Sequence, residues 1–104
     1  MPENEINILV VGRNPEILET ILRLLNGRPG WNAVGATTDE EALLRFSEQP
    51  CKIVLFGGGV EVSSEEKLTI EFQKRSPAPK IIRHYGGGSG LLFGEIYQAM
   101  EMFK

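Results

Sequence analysis

Short apolar runs alternate with segments of helical periodicity along this chain, and that alternation constrains its fold more than any other feature. Ile6–Val11 is an almost continuous apolar run, as expected for a strand buried on both faces of a sheet. Trp31–Thr37, Lys52–Phe56 and Lys80–Tyr85 give three further predicted strands. Trp31–Thr37 mixes small and polar residues and therefore suits a sheet edge. Alternating units of this kind predict a parallel sheet.

Capping signals place helices between and after these strands. Asn14 is a predicted N-cap with Pro15 as the first helical residue, and Gly27 ends that helix. Its apolar stripe is predicted at Ile17, Ile21, Leu24 and Leu25, widened by Leu18 and Leu22. The pairs Thr38 with Glu41 and Ser63 with Glu66 have the spacing of capping boxes and open the second and third helices, which run to Pro50 and to about Arg75. Ser89 or Gly90 opens the last helix, in which Leu92, Ile96, Ala99 and Phe103 share a face.

Right-handed crossovers place helices on both faces of such a sheet. With the first strand central and the second at an edge, we predict an α/β, flavodoxin-like, three-layer αβα fold. Its four-stranded parallel sheet has the order 2-1-3-4.

Composition narrows the class of protein. A chain of 104 residues predicts one domain, 1–104. The net charge of -3 is spread along the sequence without a basic stripe, so we expect neither nucleic acid nor a membrane as partner. The lone Cys51 is expected to be a small hydrophobe at the start of a strand. The acidic start lacks the charged region of a signal peptide, and we expect a cytoplasmic location.

Element order and spacing, together with the phrase Thr38-Asp39-Glu40-Glu41-Ala42-Leu43, resemble a response-regulator receiver domain. The resemblance implies a site where an acidic pair holds Mg²⁺ beside a phosphoacceptor aspartate. The acidic pair would fall at Gly12 and Arg13, and the phosphoacceptor at Gly57. None of these residues offers a carboxylate.

The remaining positions of the family pattern are also altered. The switch Thr or Ser would fall near His84 or Tyr85, and the lysine of a fifth strand has no counterpart. Asp39 is the only aspartate and is far in sequence from both exits. The resemblance therefore implies a truncated pseudo-receiver that lacks the phosphorylation site, with no metal and no cofactor.

Two glycine loops, Gly57-Gly58-Gly59 and Gly86-Gly87-Gly88-Ser89-Gly90, should lie at the carboxyl edge of the sheet, where open α/β folds bind ligands. Glycine loops and helix N-termini favour anions. An alternative function is thus a small anion- or nucleotide-binding module that uses Arg13, Gly58, Gly87, Gly88, Ser89 and Gly90. Neither loop matches a nucleotide-binding motif.

Arg13 has three open roles: binding an anion, replacing the charge of the missing Mg²⁺, or simply being solvated, which we expect. His84 is the sole histidine, and no recognisable partner in the sequence supports acid–base catalysis. No catalytic residue is predicted, and we expect the chain not to be an enzyme.

The absence of a fifth strand predicts that the fourth strand forms an edge, with Arg83 and His84 as its charged protection. We predict a non-phosphorylatable receiver-like signalling or interaction module that docks an unidentified protein. Alternatively, the module pairs with a second copy of itself through the fourth-strand edge or its flanking helices. The contacts would involve Arg83, Tyr85 and Tyr97. Trp31 is either an interface anchor or a cap on the core.

Overall fold

The computed structural model describes residues 6–49, 51–57, 59–74 and 78–83, together with the helical residues Gly94, Ile96 and Gln98. Strands and helices alternate along the described chain, as predicted. The elements are β1 (Ile6–Val11), α1 (Pro15–Asn26), β2 (Trp31–Ala36), α2 (Asp39–Glu48), β3 (Ile53–Phe56), α3 (Val62–Gln73) and β4 (Lys80–Arg83).

The four strands form one parallel sheet in the order β2-β1-β3-β4, which confirms the predicted topology. Val11, the last residue of β1, is in register with Ala36 of β2 and with Phe56 of β3. The carboxyl ends of the three strands are therefore level with one another. The residues that follow these strands share one edge of the sheet.

Two hydrophobic clusters lie on opposite faces of the sheet because successive strand side chains point to opposite sides. The first lies between the sheet and α1 and includes Ile8, Val10 and the helical Ile96. The second lies between the sheet and helices α2 and α3 and includes Leu9 and Val11. Because side chains alternate along the central strands, both faces of the sheet are apolar. Helices cover both faces, which gives three layers.

The first two helices begin where the sequence predicts. The Asn14 side chain accepts hydrogen bonds from the backbone N–H groups of Glu16 and Ile17, at 3.0 and 3.2 Å. Thr38 accepts one from the N–H of Glu41 at 3.1 Å. The Glu41 carboxylate returns to the N–H of Thr37 at 2.9 Å, one residue before the cap.

The buried face of α1 differs from the predicted stripe. The helix contacts the sheet along Leu18, Ile21 and Leu25, whereas Ile17 and Leu24 are 58% and 37% exposed. The spacing of three and four residues suits both choices. Ile21 and Leu25 are buried as predicted, and packing on the sheet selects Leu18 in place of Ile17 and Leu24.

The predicted capping box of α3 is wrong. The N-cap is Glu61, which makes no side-chain capping bond, and Ser63 lies inside the first turn, exposed to solvent. The next two residues, Ser64 and Glu65, are instead buried, at 7% and 2% exposure. Ser64 contacts Arg13 and Asp39, and Glu65 contacts Arg83.

Smaller predictions of packing are confirmed. Trp31 is buried in the first cluster, so it caps the core, and Cys51 is a buried hydrophobe of the second. Burial raises the pKa of the Cys51 thiol to about 11. β3 begins at Ile53, one residue later than predicted.

Candidate functional site at the carboxyl edge of the sheet

Glycines follow β1 and β3 side by side at the carboxyl edge. The N–H of Gly12 donates to Ala36 O at 3.0 Å, and the N–H of Gly57 donates to Val11 O at 2.8 Å. A Cβ built on Gly57 would lie 3.9 Å from the Cα of Gly12. Both glycines are buried, and neither has a positive φ angle.

Among the described residues, no close contact requires glycine at either position. Within that part of the chain, the atom nearest to a Cβ on Gly57 would be Val11 O at 3.5 Å, and the atom nearest to a Cβ on Gly12 would be a Leu18 methyl carbon at 4.0 Å. Both are ordinary van der Waals distances. As far as the structure describes the surrounding residues, the backbone at either exit therefore leaves room for a Cβ.

Arg13 follows Gly12, and its guanidinium lies across the carboxyl edge. Nη1 donates to Thr37 O at 2.8 Å, and Nη2 donates to Asp39 Oδ1 at 2.7 Å and to Ser64 Oγ at 3.1 Å. Nε donates to Glu61 Oε1 at 3.3 Å. The expectation that Arg13 is solvated is wrong, because its side chain is only 25% exposed and donates to oxygens of the two segments that follow β2 and β3.

The second oxygen of Asp39 completes the arrangement. Ser64 Oγ lies 2.9 Å from Asp39 Oδ2 and 3.5 Å from Glu61 Oε2. A serine hydroxyl has one hydrogen to donate, and the shorter distance assigns it to Asp39. Asp39 is distant from the strand exits in sequence, yet the parallel register brings its carboxylate to them.

The electrostatics of the pair follow from this geometry. The hydrogen bond from Arg13 holds the pKa of the Asp39 carboxyl below its usual value, and the Ser64 hydroxyl adds to that effect against the opposing effect of desolvation. The same hydrogen bond raises the pKa of Arg13. Both groups are therefore ionised throughout the neutral range.

The Arg13 cluster, by which we mean Arg13 with Thr37, Asp39, Glu61 and Ser64, joins the segments that follow β1, β2 and β3. A guanidinium donates in several fixed directions and stays charged, so one side chain serves all of these oxygens. The cluster holds the three loops together through a protein cation.

The residues present do not fit the magnesium ion that a receiver-like site implies. Mg²⁺ needs oxygen ligands, and the two positions expected to supply them carry a glycine and a guanidinium. Within the described residues, no group of three or more His, Cys, Asp or Glu side chains is placed to hold a metal ion. The Asp39 and Glu61 carboxylates are paired with Arg13.

A groove of about 540 Å³ lies beside Arg13 and is lined by Arg13, Asn14, Pro15, Glu16 and Gly59. It is poorly suited to an anion. The Asn14 carboxamide already accepts the first N–H groups of α1, and Glu16 brings a negative charge to the same turn. Arg13 itself faces two carboxylates.

A second ion pair lies where β4 ends. Arg83 Nε donates to Glu65 Oε2 at 3.1 Å, and the Glu65 side chain is 3% exposed while that of Arg83 is 51% exposed. Arg83 is therefore more than a charge on the edge strand: it pairs with a buried carboxylate of α3. Several predicted site residues lie outside the described residues, namely Gly58, His84, Tyr85, Gly86, Gly87, Gly88, Ser89, Gly90 and Tyr97.

Sequence reasoning missed four side chains of these two ion-pair arrangements. Asp39 was expected to lie far from both exits, and the structure places it beside Arg13. Glu61 and Ser64 were not predicted to reach the first exit, and Glu65 was not predicted to be buried. The only available signal was the pair Ser64-Glu65 at the start of a helix that follows a buried strand, and the capping-box interpretation obscured it.

The sequence matches no protein-family model and no curated protein sequence. Solved structures resemble it in fold. A response regulator receiver protein from Pseudomonas putida superposes with a TM-score of 0.65 at 24% identity, covering 91% of this chain and 79% of that chain. A Burkholderia pseudomallei K96243 protein described as putatively pilus assembly-related superposes with a TM-score of 0.62 at 14% identity, covering 95% of this chain and 75% of that chain.

A third similar chain comes from the crystal structure of the phosphorylated P1 domain of CheA3 in complex with CheY6 from R. sphaeroides. It gives a TM-score of 0.63 at 16% identity and covers 94% of this chain and 95% of that chain. Identities at this level establish a shared fold and nothing further. The chain thus has the flavodoxin-like fold of receiver domains. In the described part of the chain, none of the helices has the length and hydropathy needed to cross a bilayer.

Proposed function

We propose that residues 1–104 form a single receiver-like signalling domain that takes no phosphoryl group and acts by binding a protein. The observation that carries the proposal is the 2.7 Å pairing of Arg13 with Asp39 beside Gly12 and Gly57. The receiver resemblance implies carboxylates and Mg²⁺ at this edge. Here the chain's only aspartate is neutralised by a guanidinium.

The Arg13 cluster gives a physical reason for independence from phosphate. In a switch, an added charge shifts an equilibrium between two arrangements of the loops. In this chain a permanent internal cation bonds the segments after β1, β2 and β3 to each other. The edge is held in one arrangement without an incoming ligand, and we propose that the domain is non-enzymatic.

The proposed docking surface is centred on Arg83, the last residue of β4. Tyr85 and Tyr97, the other two contacts that we predict from the sequence, lie outside the described residues. Arg83 is half-exposed and oriented by the buried Glu65. An arginine held in one direction is a favourable anchor in an interface because less side-chain entropy is lost on binding. The CheA3 P1 complex with CheY6 supports a protein as the class of partner. The partner is either a separate protein of the cytoplasm or a second copy that pairs through the β4 edge or its flanking helices.

Phosphorylation is tested by incubating the protein with acetyl phosphate and Mg²⁺, with a phosphorylatable receiver as positive control. We expect no acyl phosphate on this chain. A product that is stable in acid and released by hydroxylamine would overturn the proposal.

Self-association is tested by sedimentation at micromolar concentration. A species larger than the 11.5 kDa chain supports the homodimer, and Arg83→Ala should weaken it if the β4 end is the contact. A single 11.5 kDa species at all concentrations excludes the homodimer and leaves a separate protein as partner.

A panel of phosphates and nucleotides in a thermal-shift assay tests the alternative function. The docking proposal predicts no ligand-dependent rise in the unfolding temperature. A reproducible rise that is lost in Ser89→Ala or Gly88→Val would favour an anion-binding module instead.

A further inference from the structure

The outer side of β2 is one edge of the sheet, and its backbone groups alternate in direction. Gly12 donates to the carbonyl of Ala36, so the polar groups of Ala36 point inward to β1. By alternation, the N–H and C=O of Ala33 and Gly35 point outward. Outward-facing groups of this kind form the template on which another strand can pair.

The side chain of Asn26 occupies the Ala33 position of that template. Asn26 is the last residue of α1. Its Oδ1 accepts from the N–H of Ala33 at 2.8 Å, and its Nδ2 donates to Ala33 O at 3.1 Å. A carboxamide presents one acceptor and one donor, as the peptide group of a neighbouring strand would. A further outward donor, the N–H of Trp31, is bonded within its turn to Arg28 O at 3.2 Å.

The composition of β2 makes such a cover necessary. Its sequence, WNAVGA, contains no charged residue and no proline. Charge and proline are the usual devices that keep an edge strand from pairing with a copy of itself. An uncharged edge places no repulsion between two identical strands, so a second copy of this chain is the strand best suited to add here.

We propose that Asn26 closes the β2 edge against pairing with a second copy of this chain. A strand that adds to β2 must first displace the carboxamide from Ala33, and α1 holds that carboxamide in place because the helix packs on the sheet through Leu18, Ile21 and Leu25. Self-association of the natural protein is thereby directed away from β2.

The test compares Asn26→Ala with the wild-type protein by sedimentation across a concentration series and by hydrogen exchange of the Ala33 amide. Alanine favours the helical conformation, so α1 should be retained. We expect Asn26→Ala to associate with rising concentration. Its Ala33 amide should exchange at least about tenfold faster than wild type when dilute, since an exposed edge amide is unprotected, and slow down again as the strands pair.

Asn32→Ala is the matched control. Asn32 is also an asparagine on β2, but its Nδ2 donates to the Asn7 side chain at 3.1 Å rather than to the backbone of the edge. This variant should keep the wild-type association state. If Asn26→Ala also behaves as wild type in sedimentation while its Ala33 amide exchanges rapidly, the proposal is overturned.

The wild-type protein provides a measurement that does not depend on the folding of any variant. Its Ala33 amide should exchange slowly in dilute solution, at a rate independent of concentration. Exchange as fast as that of an unstructured peptide would contradict the proposal. Association through the end of β4 would leave the exchange rate of the Ala33 amide unchanged. This proposal and the proposed function can therefore fail independently of each other.

Discussion

The guanidinium of Arg13 and the carboxylate of Asp39 meet 2.7 Å apart, although they are separated by 26 positions in sequence. Arg13 lies two residues after the end of β1, and Asp39 is the first residue of α2. The parallel pairing of β1 with β2 brings both residues to the same edge. The pair is the centre of the Arg13 cluster. Its removal should therefore destabilise the segments that follow β1, β2 and β3.

We expect Arg13→Ala to lower the free energy of unfolding by about 1–3 kcal/mol, since it leaves Asp39 and Ser64 without their charged donor. Arg13→Lys should lower the free energy of unfolding by less, because an ammonium keeps the positive charge. It should still be less stable than wild type, because an ammonium cannot reach every acceptor. Denaturant unfolding measures both. Glu61→Gln is the control: that side chain is 62% exposed, and its loss should have little effect. Equal losses in all three variants would contradict the geometry.

The Asp39 pair should also govern stability in acid. The pKa of Asp39 is lower in the folded chain than its usual value, so its contribution is complete above the unfolded pKa of about 4 and is lost as pH falls through the lower folded pKa. The difference in unfolding free energy between wild type and Asp39→Asn should be constant near neutrality and should shrink below about pH 4. Urea titrations over a pH series measure this difference, and a difference that does not change with pH would refute the assignment.

Much of the fold was predictable because the signals are local. The apolar run of β1, the Asn14–Pro15 start of α1 and the Thr38 cap each depend on neighbours in the sequence. The Arg13 cluster was not predictable in the same way. Its members come from three segments that meet only when the strands are in register, and the sequence permitted a solvated Arg13 equally well. The choice of Leu18 over Ile17 as a buried residue likewise depends on how α1 lies on the sheet.

The two capping predictions give a direct comparison. Thr38→Ala should lower the free energy of unfolding by about 1 kcal/mol, because its hydroxyl accepts the N–H of Glu41 at 3.1 Å. Ser63→Ala should change it by less than about 0.5 kcal/mol, since Ser63 is an exposed helical residue without a capping role. Thermal or denaturant unfolding of the two variants settles the comparison. The reverse order would mean that α3 begins later than Val62.

Close approach between β2 and α1 makes Gly35 sensitive to substitution. A Cβ there would lie 2.8 Å from a Leu22 methyl and 3.1 Å from the Leu18 methyls. Leu22 is partly buried against the first cluster, and Leu18 is buried within it. We expect Gly35→Ala to cost about 1 kcal/mol and Gly35→Val more, as overpacking outweighs the loss of unfolded-chain entropy.

Gly57→Ala is the control for Gly35, because among the described residues its Cβ would make only ordinary contacts. It should be neutral or stabilising by about 0.4–1 kcal/mol, through the smaller entropy of the unfolded chain. Denaturant unfolding of both alanine variants measures the difference. A Gly57→Ala variant as unstable as Gly35→Ala would show that the strand exit is more crowded than the geometry indicates.

We propose that a guanidinium, and no divalent ion, neutralises the carboxyl edge of the sheet. Titration of the ¹⁵N-labelled protein with Mn²⁺, a paramagnetic substitute for Mg²⁺, tests it at the residues concerned. We predict that the amide signals of Gly12, Arg13, Asp39 and Gly57 broaden no more than those of other exposed loops. Selective broadening of these four signals at low Mn²⁺, reversed by added Mg²⁺, would contradict the claim.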